Sequence, residues 1–589
     1  MEMTWSLEAL YRSFDDPVFE NDLAFVKQSL DELTTWANNH FDAPENPREK
    51  AEGYLQRLLR FYHKAYRISA FANLSLSVEV KNTRALKTVE RMESFLSTLK
   101  VPQVKFQRWL TTLADFEDLF GANGLTDEHR FVLGELRDNG RYLLSDVEEA
   151  LAAKMAQTGS AAWAKLQNVV SSTLLVEVTI GETVKKVPLP VARNMAYDQD
   201  PKVRKTAFEA EIESYKNIED VSAACLNGIK GEAITLSKAR GYASVLDRTL
   251  RDSRIEKTTL ESMLDAIKDS LPAFRRYFRK KARLLGHSGG LPFYDLFAPI
   301  GEIDLRYTYE EASAFIIKNF GTFSQHLSDF AKNAFEKRWI DALPREGKRG
   351  GAFCSNLRVI SESRIMANFS GSFNNMTTLA HELGHGYHGE CLRGQTLLNS
   401  RYTMPIAETA SIFCETIVTD AAFNQADDQA KLAILEHQIS SAAQVIVDIY
   451  SRFLFETELI QRREEGSLSV EQLKEAMKNA QMRAYGDGLD PEVLHPYMWV
   501  NKPHYYNAEN NFYNFPYSFG LLFGKGLYAE YLEKGAAFVD SYRQLLAETG
   551  RNTVAEIGKI AGIDVNQTAF WKKSLRMIED KIEQFTRIA

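Results

Sequence analysis

Apolar residues recur at helical spacing through most of this chain. In ENDLAFVKQSLDELTTWANNHF, from Glu20, and AEGYLQRLLRFYHKAYRISAFANL, from Ala51, they return every three or four positions with charges between them. That spacing predicts amphipathic helices. VKNTRALKTVERMESFLSTLK and SDVEEALAAKMAQ continue the pattern. The period shortens to two in LLVEVTIGETVKKVPL, from Leu174, where Gly181 predicts a hairpin turn between two strands. Asp200-Pro201 suits a cap and first turn, so a helix restarts there. A boundary is placed near residue 190, dividing a helical N-terminal domain, 1–190, from a larger domain, 191–589.

The texture changes after about residue 340. REGKRGGAFCSNLRVISESRIMANFSGSF, from Arg345, carries a glycine pair at Gly350-Gly351 and β-type runs, which predicts RVI and RIMANF as short strands. The RIMANF strand has an edge that an extended peptide can pair with, a backbone contact indifferent to peptide sequence. From Asn375 the pattern is helical to the last residue, except in a glycine- and aromatic-rich stretch near 485–525. The fold class expected is mostly α, with a small β-sheet just ahead of a histidine-rich segment.

Composition narrows the function classes. With 44% hydrophobic and 25% charged residues, the 589-residue chain can bury a large core. A formal net charge of -8 and the lack of long Lys/Arg runs argue against a nucleic-acid surface. No apolar stretch reaches the roughly 20 residues of a membrane span. The acidic start, MEMTWSLEALYRSFDD, does not read as a secretory signal. Four scattered cysteines form no CxxC pair, so a cytoplasmic location is expected.

The segment HELGHGYHGE, His381 to Glu390, holds three of the chain's 11 histidines. His381-Glu382-Leu383-Gly384-His385 is HExxH, which on a helix puts two imidazoles one turn apart on one face with a glutamate beside them. Thr377 or Thr378 is the expected cap, and Leu379 and Leu383 the apolar side. Catalytic zinc needs a third protein ligand and an open position. His388 shares the face, but seven residues at ~1.5 Å each put it about 10 Å from His381, too far to share one ion. In MPIAETASIFCETIVTD, Pro405 suits a helix start, and Glu408 and Glu415 fall on similar faces two turns apart. One can ligate while the other holds a ligand imidazole. Spacing does not choose between them.

HELGHGYH, followed 23 residues beyond His385 by ETASIFCE, resembles the thimet oligopeptidase and oligoendopeptidase F family of zinc peptidases, and the oligoendopeptidase F branch in particular. LPFYDLFAPIG, GKRGGAFC, NFSGSFNNMTTLAHELGH and HPYMWVNKPHYYNAENNFYNFPYSFG resemble that branch too, so the likeness spans about residues 200–530. The resemblance implies His381, His385 and Glu408 as ligands of one zinc ion per chain, and Glu382 as general base. It also implies His504, Tyr517 and Tyr513 as donors to the oxyanion. It makes 191–589 the peptidase domain, and implies a two-part helical clam-shell around a deep channel that admits short, unfolded oligopeptides for internal cleavage. Two rivals stand beside this reading. One is a carboxypeptidase-type enzyme that trims peptide ends. The other is a helical scaffold with structural metal or none, which an intact HExxH argues against.

Overall fold

The computed structural model describes residues 1–181, 183–301 and 305–588. It is mostly helical with small sheets, as the spacing of apolar positions predicts. Spatial contact groups the chain into two compact units, each assembled from three separate stretches. The first comprises Met1–Leu143, Asp304–Ala422 and Glu530–Gly562, and the second Leu144–Ile303, Phe423–Ala529 and Ile563–Ala589. The division near residue 190 runs along the sequence, whereas these units interleave segments from both sides of it.

In the first unit, three long helices, Pro17–His40, Pro47–Val78 and Thr83–Thr112, face one another through apolar stripes. Val26, Leu33, Tyr54, Phe61, Ile68 and Phe106 are all buried there. The first helix starts where Asp16 Oδ1 accepts the Val18 N–H at 2.9 Å and Pro17 takes the first turn, where its missing N–H has no helical partner to lose. The same unit holds a three-stranded sheet: β1 (Ile340–Asp341), β2 (Phe353–Leu357) and β3 (Glu362–Met366), in the order β1-β3-β2.

Two sequence expectations change here. RVI, Arg358 to Ile360, is not a strand but the turn between β2 and β3; the Ile360 N–H reaches the Leu357 carbonyl at 3.0 Å and Ser361 is left-handed at φ 54°. Its β-branched residues serve packing instead, with Val359 and Ile360 set against the hydrophobic core. RIMANF is strand only as far as Met366, and β3 lies between β1 and β2, so it has no free edge. The outer strand on that side is β2, FCSNL, whose polar residues hid it.

The second unit contains the predicted hairpin, Leu175–Ile180 against Thr183–Pro188, with Gly181 at φ 63° in the turn. A helix over Pro201–Tyr215 follows, capped by Asp200 as expected. Helices Lys257–Leu284 and Thr568–Ile588 bury Ile267, Phe274, Leu575 and Ile582. Phe515–Lys534 is helical, so the irregular aromatic stretch is shorter than the sequence suggests. Among the described residues, no helix is long and apolar enough to cross a membrane.

Charges buried in this unit are paired. Lys230 Nζ lies 2.8 Å from Glu456 Oε1 and 2.7 Å from Asn511 Oδ1, with 0% and 2% side-chain exposure for the two ions. Asn511 belongs to the loop between His504 and Tyr513, so this ion pair anchors that loop to two helices. Removing one member strands the other charge without water, at a cost of about 3–5 kcal/mol. Lys230→Met should therefore lower the unfolding midpoint sharply in urea, and Lys230→Met with Glu456→Leu should recover most of the loss.

Candidate metal centre

The HExxH helix spans Phe373–Cys391. Its cap is Ser372, not Thr377 or Thr378. Ser372 Oγ accepts the Asn375 N–H at 3.2 Å, and Asn375 Oδ1 accepts the Ser372 N–H at 3.3 Å. The threonines sit a full turn further in, where both hydroxyls donate back to the Asn374 carbonyl. A cap needs extended backbone, which Ser372 has at φ -77° and ψ 159°. Leu379 and Leu383 are fully buried, so the apolar side is as expected.

Glycine lets a second segment approach this helix closely. A Cβ on Gly384 would lie 2.5 Å from the Ala410 carbonyl oxygen and 2.6 Å from Ser411 Cα. The segment it admits carries Glu408. Pro405 does open a helix, Met404–Ala407, but that helix stops, and Thr409–Gln425 begins after Glu408. Glu408 thus stands at the junction, with its carbonyl accepting the Ile412 N–H at 3.0 Å.

Three donors converge as a result. Glu408 Oε2 lies 3.2 Å from His381 Nε2 and 3.4 Å from His385 Nε2. Among the described residues, these three form the one group of at least three His, Cys, Asp or Glu ligand atoms lying within 4.8 Å of one another. Ser411 Oγ donates to the same Glu408 oxygen at 2.8 Å. Glu415 Oε2 lies 2.9 Å from His381 Nδ1. A ring held at Nδ1 by a carboxylate can offer Nε2 to an ion that displaces the Nε2 proton, which is the arrangement a ligating imidazole takes. Glu408 faces both Nε2 atoms, and Glu415 backs one ring.

The donor set fits a divalent ion such as zinc, with two imidazole nitrogens and one carboxylate oxygen. Side-chain exposures of 24% for His381, 19% for His385 and 30% for Glu408 leave the group reachable from one side, unlike a closed structural site. Electrostatics agree with clustering. Burial alone would lower His381, but Glu408 and Glu415 outweigh it and lift it to about 10. Burial lowers His385 to about 4. Burial opposes ionisation of Glu408, yet the two histidines and Ser411 hold it at about 2. Glu382 is 7% exposed, and its Oε2 has no hydrogen-bond partner among the described residues. Burial, then the Glu408 charge, raise it to about 7, against the pull of His381.

His388 lies outside the group. It is fully buried and stacked on Tyr402 at 4.1 Å, with Nε2 2.8 Å from Thr549 Oγ1. In the second unit, His504 stacks on Tyr513 at 5.2 Å, and Tyr513 meets the Tyr517 ring edge-on at 6.0 Å. Tyr513 therefore neighbours each of the other two rings. Burial, then Arg452 and Lys502, lower His504. Sequence reasoning passed over Ser411, Asn356 and Tyr402. Asn356 Nδ2 donates to the His385 carbonyl at 3.1 Å, a link between distant segments that no local pattern announces.

Residues 194–577 match the model of Peptidase family M3, and residues 99–174 match that of Oligopeptidase F. The first match covers well over half the chain, and the chain belongs to peptidase family M3. It is a metallopeptidase of the oligoendopeptidase F type. Oligopeptidase PepF of Bacillus subtilis is 24% identical over 601 residues, covering 100% of this chain and 87% of its own. Group B oligopeptidase PepB of Streptococcus agalactiae is 22% identical, covering 99% and 96%. Among solved structures, oligoendopeptidase-F from Enterococcus faecium superposes with a TM-score of 0.71 at 20% identity, covering 96% of this chain and 99% of its own. At that identity the likeness is one of fold.

Two measurements test the site. Glu415→Ala should weaken metal binding by roughly 10- to 100-fold, read by competition with a chromogenic chelator. The second concerns metal-free protein. Because Glu382 is raised in the fold, its burial cost is absent below its ordinary value of 4.5, grows as pH rises, and is complete above about 7. That cost is at most roughly 3 kcal/mol. Glu382→Gln should therefore stabilise the metal-free protein at pH 8 and have little effect at pH 4.5, in thermal unfolding at both pH values.

Proposed function

We propose that this chain is a zinc-dependent endopeptidase that cuts internal bonds of short, unfolded oligopeptides, with Glu382 as general base. The observation that carries this reading is the convergence of His381 Nε2, His385 Nε2 and Glu408 Oε2 beside the buried Glu382, whose Oε2 has no hydrogen-bond partner among the described residues. The names of the relatives, oligopeptidase and oligoendopeptidase, support the substrate class.

When bound by His381, His385 and Glu408, the ion supplies Lewis-acid chemistry, polarising the scissile carbonyl and acidifying water. The chain's own residues do the rest. Glu408 and the two imidazoles hold the ion, and Glu415 keeps the His381 ring in its ligating tautomer. Glu382, raised toward neutral pH, takes a proton from the attacking water and passes it to the leaving amine. On the family resemblance, His504, Tyr517 and Tyr513 donate hydrogen bonds to the oxyanion. We also place catalysis in residues 191–589 and the enzyme in the cytoplasm, where its four free cysteines suit a reducing compartment.

The deciding experiment incubates mixed peptides, roughly 5 to 20 residues long, with wild type and Glu382→Gln, reading products by mass spectrometry and metal content alongside. Internal cuts by wild type are expected, with Glu382→Gln keeping its metal and losing about 10²- to 10⁴-fold in rate. Trimming from one end alone would favour the carboxypeptidase-type rival. An inactive wild type with its metal in place would leave the scaffold reading standing.

A further inference from the structure

The first unit contains a cavity of about 450 Å³, within the size range of ligand pockets, at the C-terminal end of β2. Tyr66, Asn73, Ser355, Leu357, Arg358 and Arg401 are among the residues that line it. Both arginines line this space, and among the described residues that line it none is acidic. Arg358 is half-buried and donates one N–H to the Gly389 carbonyl at 3.1 Å. Among the described residues no carboxylate lies within ion-pairing distance of it, and burial without a counter-charge lowers it. Arg401 is exposed, donates to the Tyr66 hydroxyl and lies over the Tyr62 ring at 4.7 Å. Aromatic faces hold such a planar fork in one orientation, a fork whose geometry matches a carboxylate.

The cavity is tied to the metal centre by β2. Cys354 lies close enough to Glu382 for that carboxylate to act on its thiol, Asn356 bonds the His385 carbonyl, and Arg358 bonds that of Gly389. The strand therefore runs alongside the HExxH helix from the general base toward the cavity. From Cys354 to Leu357 the strand covers about 10 Å at ~3.3 Å per extended residue, and Arg358 stands in the turn just beyond it. The strand is at the edge of its sheet, so an extended peptide that paired with it would run toward the cavity.

We propose that this cavity is a substrate subsite, in which Arg358 and Arg401 bind a carboxylate of the peptide about four residues from the bond that is cut. The proposal rests on the peptidase reading above and adds a specificity that backbone pairing lacks. The carboxylate is either an acidic side chain or the peptide's C-terminus.

The test uses peptide pairs that differ only by glutamate or glutamine at one position, walked three to five residues out on either side of the cut. A further pair has a free or amidated C-terminus. Each pair is read as a ratio of kcat/KM with wild type, and as a ratio of Kd on Glu382→Gln by fluorescence anisotropy. One position should favour the carboxylate by roughly tenfold or more. Arg358→Gln should bring that ratio close to one, Arg401→Gln should reduce it, and Arg358→Lys should restore part. Ratios on a single protein preparation are insensitive to any loss of folded material. Preference that follows the free terminus identifies the α-carboxylate as the ligand, and preference that follows glutamate identifies a side chain. Equal ratios throughout, or a preference that survives the double variant Arg358→Gln and Arg401→Gln, would overturn the proposal. A Kd preference without cleavage would uphold the subsite while removing the peptidase reading.

Discussion

His381 stands between two carboxylates, Glu408 beside Nε2 and Glu415 beside Nδ1, and much of the surrounding architecture keeps it there. One ring nitrogen has to be offered while the other is held, and each task takes its own acid. Both acids come from one side of the HExxH helix, from a chain that reverses and returns close against it. That closeness depends on Gly384, since the Ala410 carbonyl occupies the space any larger residue would take. The carboxylate on the HExxH helix itself, Glu382, has the opposite environment. Buried, with one oxygen that has no hydrogen-bond partner among the described residues, it is raised to about 7. Neighbouring acids are thus driven apart in proton affinity by what touches them, a separation of roles achieved with one residue type.

The long helices and the HExxH motif were legible because each is written in local spacing. Apolar recurrence marked Pro17–His40 and Pro47–Val78, and Asp200-Pro201 marked a helix start to the residue. The sheet was harder. RVI looks like a strand and makes a turn, while FCSNL looks like a loop and makes the outer strand, because pairing with Glu362–Met366 and burial beneath Leu357 decide both. The N-cap was misplaced by a turn for a similar reason, as three candidate hydroxyls lie within seven residues and only backbone geometry separates them. Glu408 and Glu415 were visible as a pair from the sequence, but their division of labour depends on which nitrogen each faces. That is a matter of ångströms between segments over twenty residues apart, and spacing along one chain does not encode it.

Family membership and local chemistry meet at the same residues here but say different things. The family match accounts for a metallopeptidase. The geometry accounts for why this helix, with glycines at 384, 386 and 389 against Ala410, Phe330 and Asn356, can be clasped on several sides. A helix so tightly enclosed has little freedom to tilt, and that rigidity suits ligands that must hold one ion in one place.

His388 carries one more consequence, concerning the order in which the chain is made. Its Nε2 meets Thr549, which lies more than 160 residues later, in the third stretch of the first unit. Gly550 in turn fits against the backbone of Asn399 with no room for a side chain. A ribosome that has translated only as far as the histidines has therefore not yet made the residues that seat their helix. The unit closes when synthesis is nearly finished, so the helix that carries His381 and His385 is seated late in the life of the nascent polypeptide.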